Sequence, residues 1–176
     1  MIELLSIDHA ELDELFDGLL ASLGARERSA AEIYRRLDTL WARLGVHVRA
    51  EHLQLFPAVL QALDAQEGAL PAALPESEEI RRLVERLRDD HNFFMHELAR
   101  AVKNLRLVLA DERRADELID EASRMLSGVK ERLAVHNELE EKQLYRWAEA
   151  IFRDARGDDL ARGLKRELEN LPHRLR

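Results

Sequence analysis

Apolar residues over the first two dozen positions recur at alternating spacings of four and three. Leu5, His9, Leu12, Phe16, Leu19 and Leu23 form the series. On a helix of 3.6 residues per turn they make one stripe, which predicts an amphipathic helix facing a bundle core. His9 stands in that stripe where an apolar residue belongs. Ser6 is the expected N-cap and Gly24 the expected stop. A second series, Ile33, Leu37, Leu40, Leu44, His47, Glu51, Leu55 and Ala58, predicts a helix from about Ser29. Pro57 should perturb it, having no N–H to donate. Gly68, Pro71 and Pro75 mark the one long connection. A third series, Ile80, Val84, Leu87, His91, Phe94, Leu98, Ala101 and Leu105, follows an acidic first turn, which a helix dipole favours. A turn is expected around residues 111–114. The fourth series runs Leu118, Ala122, Met125, Val129, Leu133, His136, Glu140, Leu144, Trp147 and Ile151, with Gly157 as its stop. Asp158 then caps a short extra helix that Pro172 closes, and the tail to Arg176 is expected to fray.

Helices joined by short turns run antiparallel. The predicted fold is therefore all-α: an up-down-up-down four-helix bundle over residues 1–157, with a short C-terminal helix and tail, 158–176, packed on it. Composition supports this, because 4 Pro and 7 Gly in 176 residues leave long helices uninterrupted. The net charge of −8, with basic residues interspersed among acidic ones, argues against a nucleic-acid partner. No apolar run approaches the roughly 20 residues of a membrane span. Met1-Ile2-Glu3 lacks the basic start and apolar core of a secretory leader, so the expected location is cytoplasmic. The absence of Cys removes disulfides, iron–sulfur clusters and thiolate zinc sites, so any metal must be held by His and carboxylate.

The two halves repeat. Val46-His47 with Glu51 and Gln54-Leu55-Phe56 matches Val135-His136 with Glu140 and Gln143-Leu144-Tyr145, in register, and Asp8-His9 matches Asp90-His91. One His-x-x-x-Glu pair is expected by chance, since Glu fills 22 of 176 positions and there are 7 His. The constellation carries more weight. Counted from the connections at about 1.5 Å per residue, His9, His47, Glu51, His91, His136 and Glu140 come to nearly one height on four helices. The plainer alternative is four buried histidines hydrogen-bonded within an ordinary bundle. That reading must also bury two core carboxylates, which is costly without a counter-charge.

Four imidazoles and two carboxylates suit iron, manganese or zinc, and are too many for one tetrahedral zinc. They fit two ions with both Glu bridging, an oxo or hydroxo group as a further ligand, and an open position for a small molecule. Ferritin-like sites differ, using Glu-x-x-His and more carboxylates. Of the remaining histidines, His52, next to Glu51, is expected to face a neighbouring helix or solvent, and His96, about 100° beyond the facing position, to lie outside the site. Asp8 and Asp90 are candidates to orient ligand histidines, and acids placed for the start of a helix account for them equally well. Tyr145 is a candidate for an access path, with Met125, Phe94 and Leu98 as a dry wall.

Ser6-Ile7-Asp8-His9, His47…Glu51 followed by Leu55-Phe56-Pro57, Asp90-His91 and His136…Glu140-Glu141 resemble the hemerythrin-like family, the HHE cation-binding domain, over about residues 4–152. The resemblance implies a four-helix bundle around a non-haem di-iron centre. The ligands it implies are His9, His47, Glu51, His91, His136 and Glu140, with the two Glu as bridges and two oxo- or hydroxo-bridged iron ions favoured over manganese or zinc. Oxygen-carrying hemerythrins have a fifth His one turn after the third-helix His, where this chain has Met95. The four-His, two-Glu set is more similar to the di-iron repair proteins of nitrosative stress, which carry an N-terminal cysteine-bearing region. The expected function is thus binding of, or reaction with, dioxygen, nitric oxide or peroxide. The alternative is a metal or redox sensor, or an iron-handling stress protein, acting through a protein partner. A homodimer is compatible with either.

Overall fold

The computed structural model describes residues 2–65, 71, 74–153 and 155–172. Its first helix, α1, spans Ile2–Leu23. It starts ahead of Ser6, which lies within it and is not its cap. Gly24 closes it as expected, with its N–H on Leu20 O. Helix α2 (Ala30–Ala50) is capped by Ser29, whose hydroxyl accepts from the Glu32 N–H. It continues without a break through a π-helical turn, Glu51–Leu55, into α3 (Phe56–Ala65). Helix α4 (Ser77–Ala110) opens on Glu78 and Glu79 and runs 34 residues uninterrupted. A 3₁₀ turn, Glu112–Arg114, leads to α5 (Ala115–Leu139). A second π-helical turn, Glu140–Leu144, joins α5 to α6 (Tyr145–Ile151). Gly68, His173 and the tail lie outside the described residues.

The four rods are α1, α2–α3, α4 and α5–α6. Packing runs α1 on α2, α2 on α4, α4 on α5 and α5 on α1, which closes the bundle. No described helix is long and apolar enough to cross a membrane.

Both π turns begin at a predicted Glu ligand, and each is closed by the N–H five residues on: Phe56 to Glu51 O and Tyr145 to Glu140 O. Pro57 is not their cause, since the second turn forms with Arg146 in the matching place. A π turn carries one extra residue, and the buried stripe shifts by one after it. Val59 and Ala148 are buried where the spacing predicted Ala58 and Trp147, which are half-buried. On α5 the core position falls to Leu126, with Met125 half-buried beside it.

The fourth rod ends at Ile151, not at Gly157. Gly157 lies inside a further helix, α7 (Ala155–Glu169), whose start precedes the expected Asp158 cap. A Cβ at Gly157 would stand 2.5 Å from Phe152 O, so only glycine allows this close entry. α7 packs on α2 and on the first π turn, with Gly163 against Gln54. Arg49 grips its C-terminal end, donating to Glu167 O at 3.0 Å and Asn170 O at 2.9 Å.

The core falls into two apolar clusters. One holds Leu12, Leu44, Phe94 and Leu133; the other holds Leu5, Val46, Leu87 and Leu144. On every rod, the predicted polar core residues lie between these two sets.

Candidate metal centre

His9, His47, Glu51, His91, His136 and Glu140 are all buried, and meet in the layer between the clusters. They form two groups able to hold an ion: Glu51, His91, His136 and Glu140, and His9, His47 and Glu140. Both carboxylates reach both groups. Glu140 presents Oε2 to His9 Nε2 at 3.3 Å and Oε1 to His136 Nε2 at 3.1 Å. Glu51 Oε2 lies 3.5 Å from His47 Nε2 and 3.3 Å from His91 Nε2.

Each imidazole turns its Nδ1 away from the centre toward a partner. His47 Nδ1 meets Asp8 Oδ2 at 2.8 Å, and Asp8 is held in turn by Arg43 at 2.7 Å. His136 Nδ1 lies 3.4 Å from Asp90 Oδ2, with Arg132 Nε on Asp90 at 2.7 Å. This repeats the same device, and an Nδ1–H donated to carboxylate leaves the Nε2 lone pair inward. The arginines are a missed part of the pattern, readable as Arg-x-x-x-His at Arg43 and Arg132. His9 and His91 break the symmetry. His9 Nδ1 pairs with Glu141 Oε1 at 2.9 Å, and His91 Nδ1 with His52 Nε2 at 3.0 Å. Glu141 and His52 each follow a bridging Glu candidate by one residue, so matching positions carry a carboxylate in one half and an imidazole in the other.

Four inward atoms, Glu51 Oε2, Glu140 Oε1, His91 Nε2 and His136 Nε2, are buried with no hydrogen-bond partner. Such orphans are costly, and these four all belong to one of the two groups. Buried polar atoms that converge in this way are satisfied by a cation. The residues therefore fit a metal.

The electrostatics agree. Burial and the neighbouring charge of Glu140 push Glu51 up to about 8. Burial opposes charging Glu140 as well, but His136, His9 and His91 outweigh it and hold its carboxyl well below the usual range. One carboxylate of the pair is thus ionised while the other keeps its proton. Burial also opposes charging His9, yet its hydrogen bond to Glu140 and the surrounding carboxylates raise it to about 9. Burial first, then the adjacent His136, His47 and His52, holds His91 well below its normal value, neutral as a ligand must be.

Tyr145 is the residue the sequence undersold. It is fully buried, and its hydroxyl donates to Glu51 Oε1 at 2.8 Å, near His9 Nε2 at 3.2 Å and Glu140 Oε2 at 3.3 Å. It faces the centre rather than an access path. Burial and the two carboxylates raise its phenol well above the ordinary value. His96 is exposed, as its spacing predicts.

The profile of the hemerythrin HHE cation-binding domain matches residues 1–148. The chain belongs to the hemerythrin HHE family. No curated protein and no solved structure matches it. Membership and the buried donor set together make this hemerythrin-like domain a metal-binding protein.

Proposed function

We propose that this hemerythrin-like chain is a non-haem di-iron protein that binds or reacts with a small oxidant: dioxygen, nitric oxide or peroxide. The convergence of four buried imidazoles and two shared carboxylates in two adjoining groups carries the reading. The proposed ligands are His9 and His47 at one position and His91 and His136 at the other, with Glu51 and Glu140 bridging. An iron pair would supply the redox chemistry, which the side chains of this chain lack. Asp8 and Asp90 fix the ring orientation of His47 and His136, while Glu141 and His52 fix His9 and His91. Phe94, set edge-on to His136 at 5.2 Å, and Phe56, stacked on His91 at 5.8 Å, wall off water. A dry, nitrogen-rich centre suits small-ligand chemistry better than iron storage, where ions must enter and leave.

Protein purified aerobically from iron-rich medium should hold two irons per chain and absorb in the near ultraviolet. Its spectrum should change with reductant and again with air or nitric oxide. A colourless, iron-free preparation would sink this reading. His91→Ala should lower the bound metal below two per chain; unchanged occupancy would strike His91 from the ligands.

A further inference from the structure

Phe56 and Tyr145 occupy the same place in the two halves, each closing a π turn five residues after a bridging Glu candidate. Phe56 offers no donor atom. The Tyr145 oxygen lies among donors of the His9/His47 group. For a metal–ligand bond of about 2.1 Å, adjacent donors at right angles stand about 3.0 Å apart. His9 Nε2 is 3.1 Å from His47 Nε2 and 3.3 Å from Glu140 Oε2. The Tyr145 oxygen, 3.2 Å from His9 Nε2 and 3.3 Å from Glu140 Oε2, keeps the same spacing. It therefore sits where a neighbouring ligand of one ion would sit.

The hydrogen bonds favour the same conclusion. His47 and His9 each have Nδ1 on a carboxylate, which turns both Nε2 atoms inward and toward one another. Glu140 Oε2 adds a third. The phenol has one proton for its three neighbours and gives it to Glu51 Oε1, the shortest contact at 2.8 Å. Its oxygen stays beside His9 Nε2 and Glu140 Oε2.

We propose that Tyr145 is a third type of protein ligand in this centre, binding the ion at the His9/His47 position through its oxygen. The inference rests on the di-iron reading. The phenolic proton leaves to solvent as the bond forms, as metal binding displaces protons from its ligands. The His91/His136 ion, facing Phe56, then keeps the open position. The two ions are inequivalent, and the exogenous ligand goes to the second.

The test compares the iron-loaded full chain with Tyr145→Phe in the ferric state. The unaltered chain should show a visible phenolate-to-iron charge-transfer band, with tyrosinate ring modes enhanced in resonance Raman spectra excited in that band. Tyr145→Phe should lose both and keep its near-ultraviolet absorption. Two irons per chain with no visible band or ring modes in the unaltered chain would overturn the ligand assignment and leave the di-iron reading standing. So would a visible spectrum unchanged in Tyr145→Phe. An unaltered chain that takes up no iron would overturn both together. If Tyr145→Phe does not fold, the Raman spectrum of the unaltered chain decides the assignment alone.

Discussion

Asp8 shows how much of this centre is held by residues that would not touch the metal. Its two oxygens are divided between Arg43 and His47 Nδ1, so the ring of His47 cannot rotate and its inward nitrogen is a fixed donor. Partners of this kind are worth about 10- to 100-fold in metal affinity. Asp8→Asn should therefore weaken metal binding by that order in a chelator competition, with the helical circular dichroism unchanged. Affinity equal to that of the unaltered chain would reduce Asp8 to a surface ion pair. At this scale the sequence was legible where spacing spoke, because all six residues of the buried cluster stood in helical stripes. It was silent on which ring nitrogen faces inward, since that depends on Arg43, Arg132, Glu141 and His52 arriving from neighbouring positions and rods.

Both π turns show what an element adds beyond its residues. In an α-helix five residues advance about 500°, which leaves residue i+5 some 140° off the face of residue i. A bond from i+5 back to i removes most of that rotation. His96 follows His91 by five in regular α4 and is exposed. Tyr145 follows Glu140 by five across a π turn and is buried over the centre. Spacing alone assigns the two alike, and that is why counting put Ala58 and Trp147 in the core where Val59 and Ala148 stand. Removing Leu53, an exposed residue in the first turn, should restore α spacing and rotate α3 relative to Glu51. Metal content should then fall below that of the unaltered chain while helicity persists. Full metal occupancy in the deletion would show that the extra residue is dispensable for the site.

Across the whole molecule, a charged layer is clamped between two apolar clusters, and this ties stability to pH. Glu51 rises from 4.5 to about 8 on folding, so the folded chain keeps a proton through that range that the unfolded chain has released. His9 rises from 6.5 to about 9 and acts in the same direction. Both contributions fade as pH climbs through the folded values. His91 and His52, lowered by burial first, oppose this only below about 6.5. Metal-free protein should thus melt at a lower temperature at pH 9 than at pH 7. Bound metal takes the place of those protons, so the loaded form should lose less and melt higher at both. A metal-free chain that gains stability from pH 7 to 9 would contradict this account. The bundle itself was readable from four stripes and one long connection. The end of the fourth rod was not, because the close approach of Gly157 to Phe152 O starts α7 where glycine suggested a stop.

The unlike bracing of the four imidazoles has a consequence for isotope exchange. His47 and His136 lean on buried Asp8 and Asp90. His9 and His91 lean on Glu141, with 43% of its side chain exposed, and on half-buried His52. Each of the latter connects the buried centre to the surface through a single hydrogen bond. In deuterated solvent, the ring N–H signals of His9 and His91 should fade while those of His47 and His136 persist, dividing the centre into a pair that exchanges with the outside and a pair that does not.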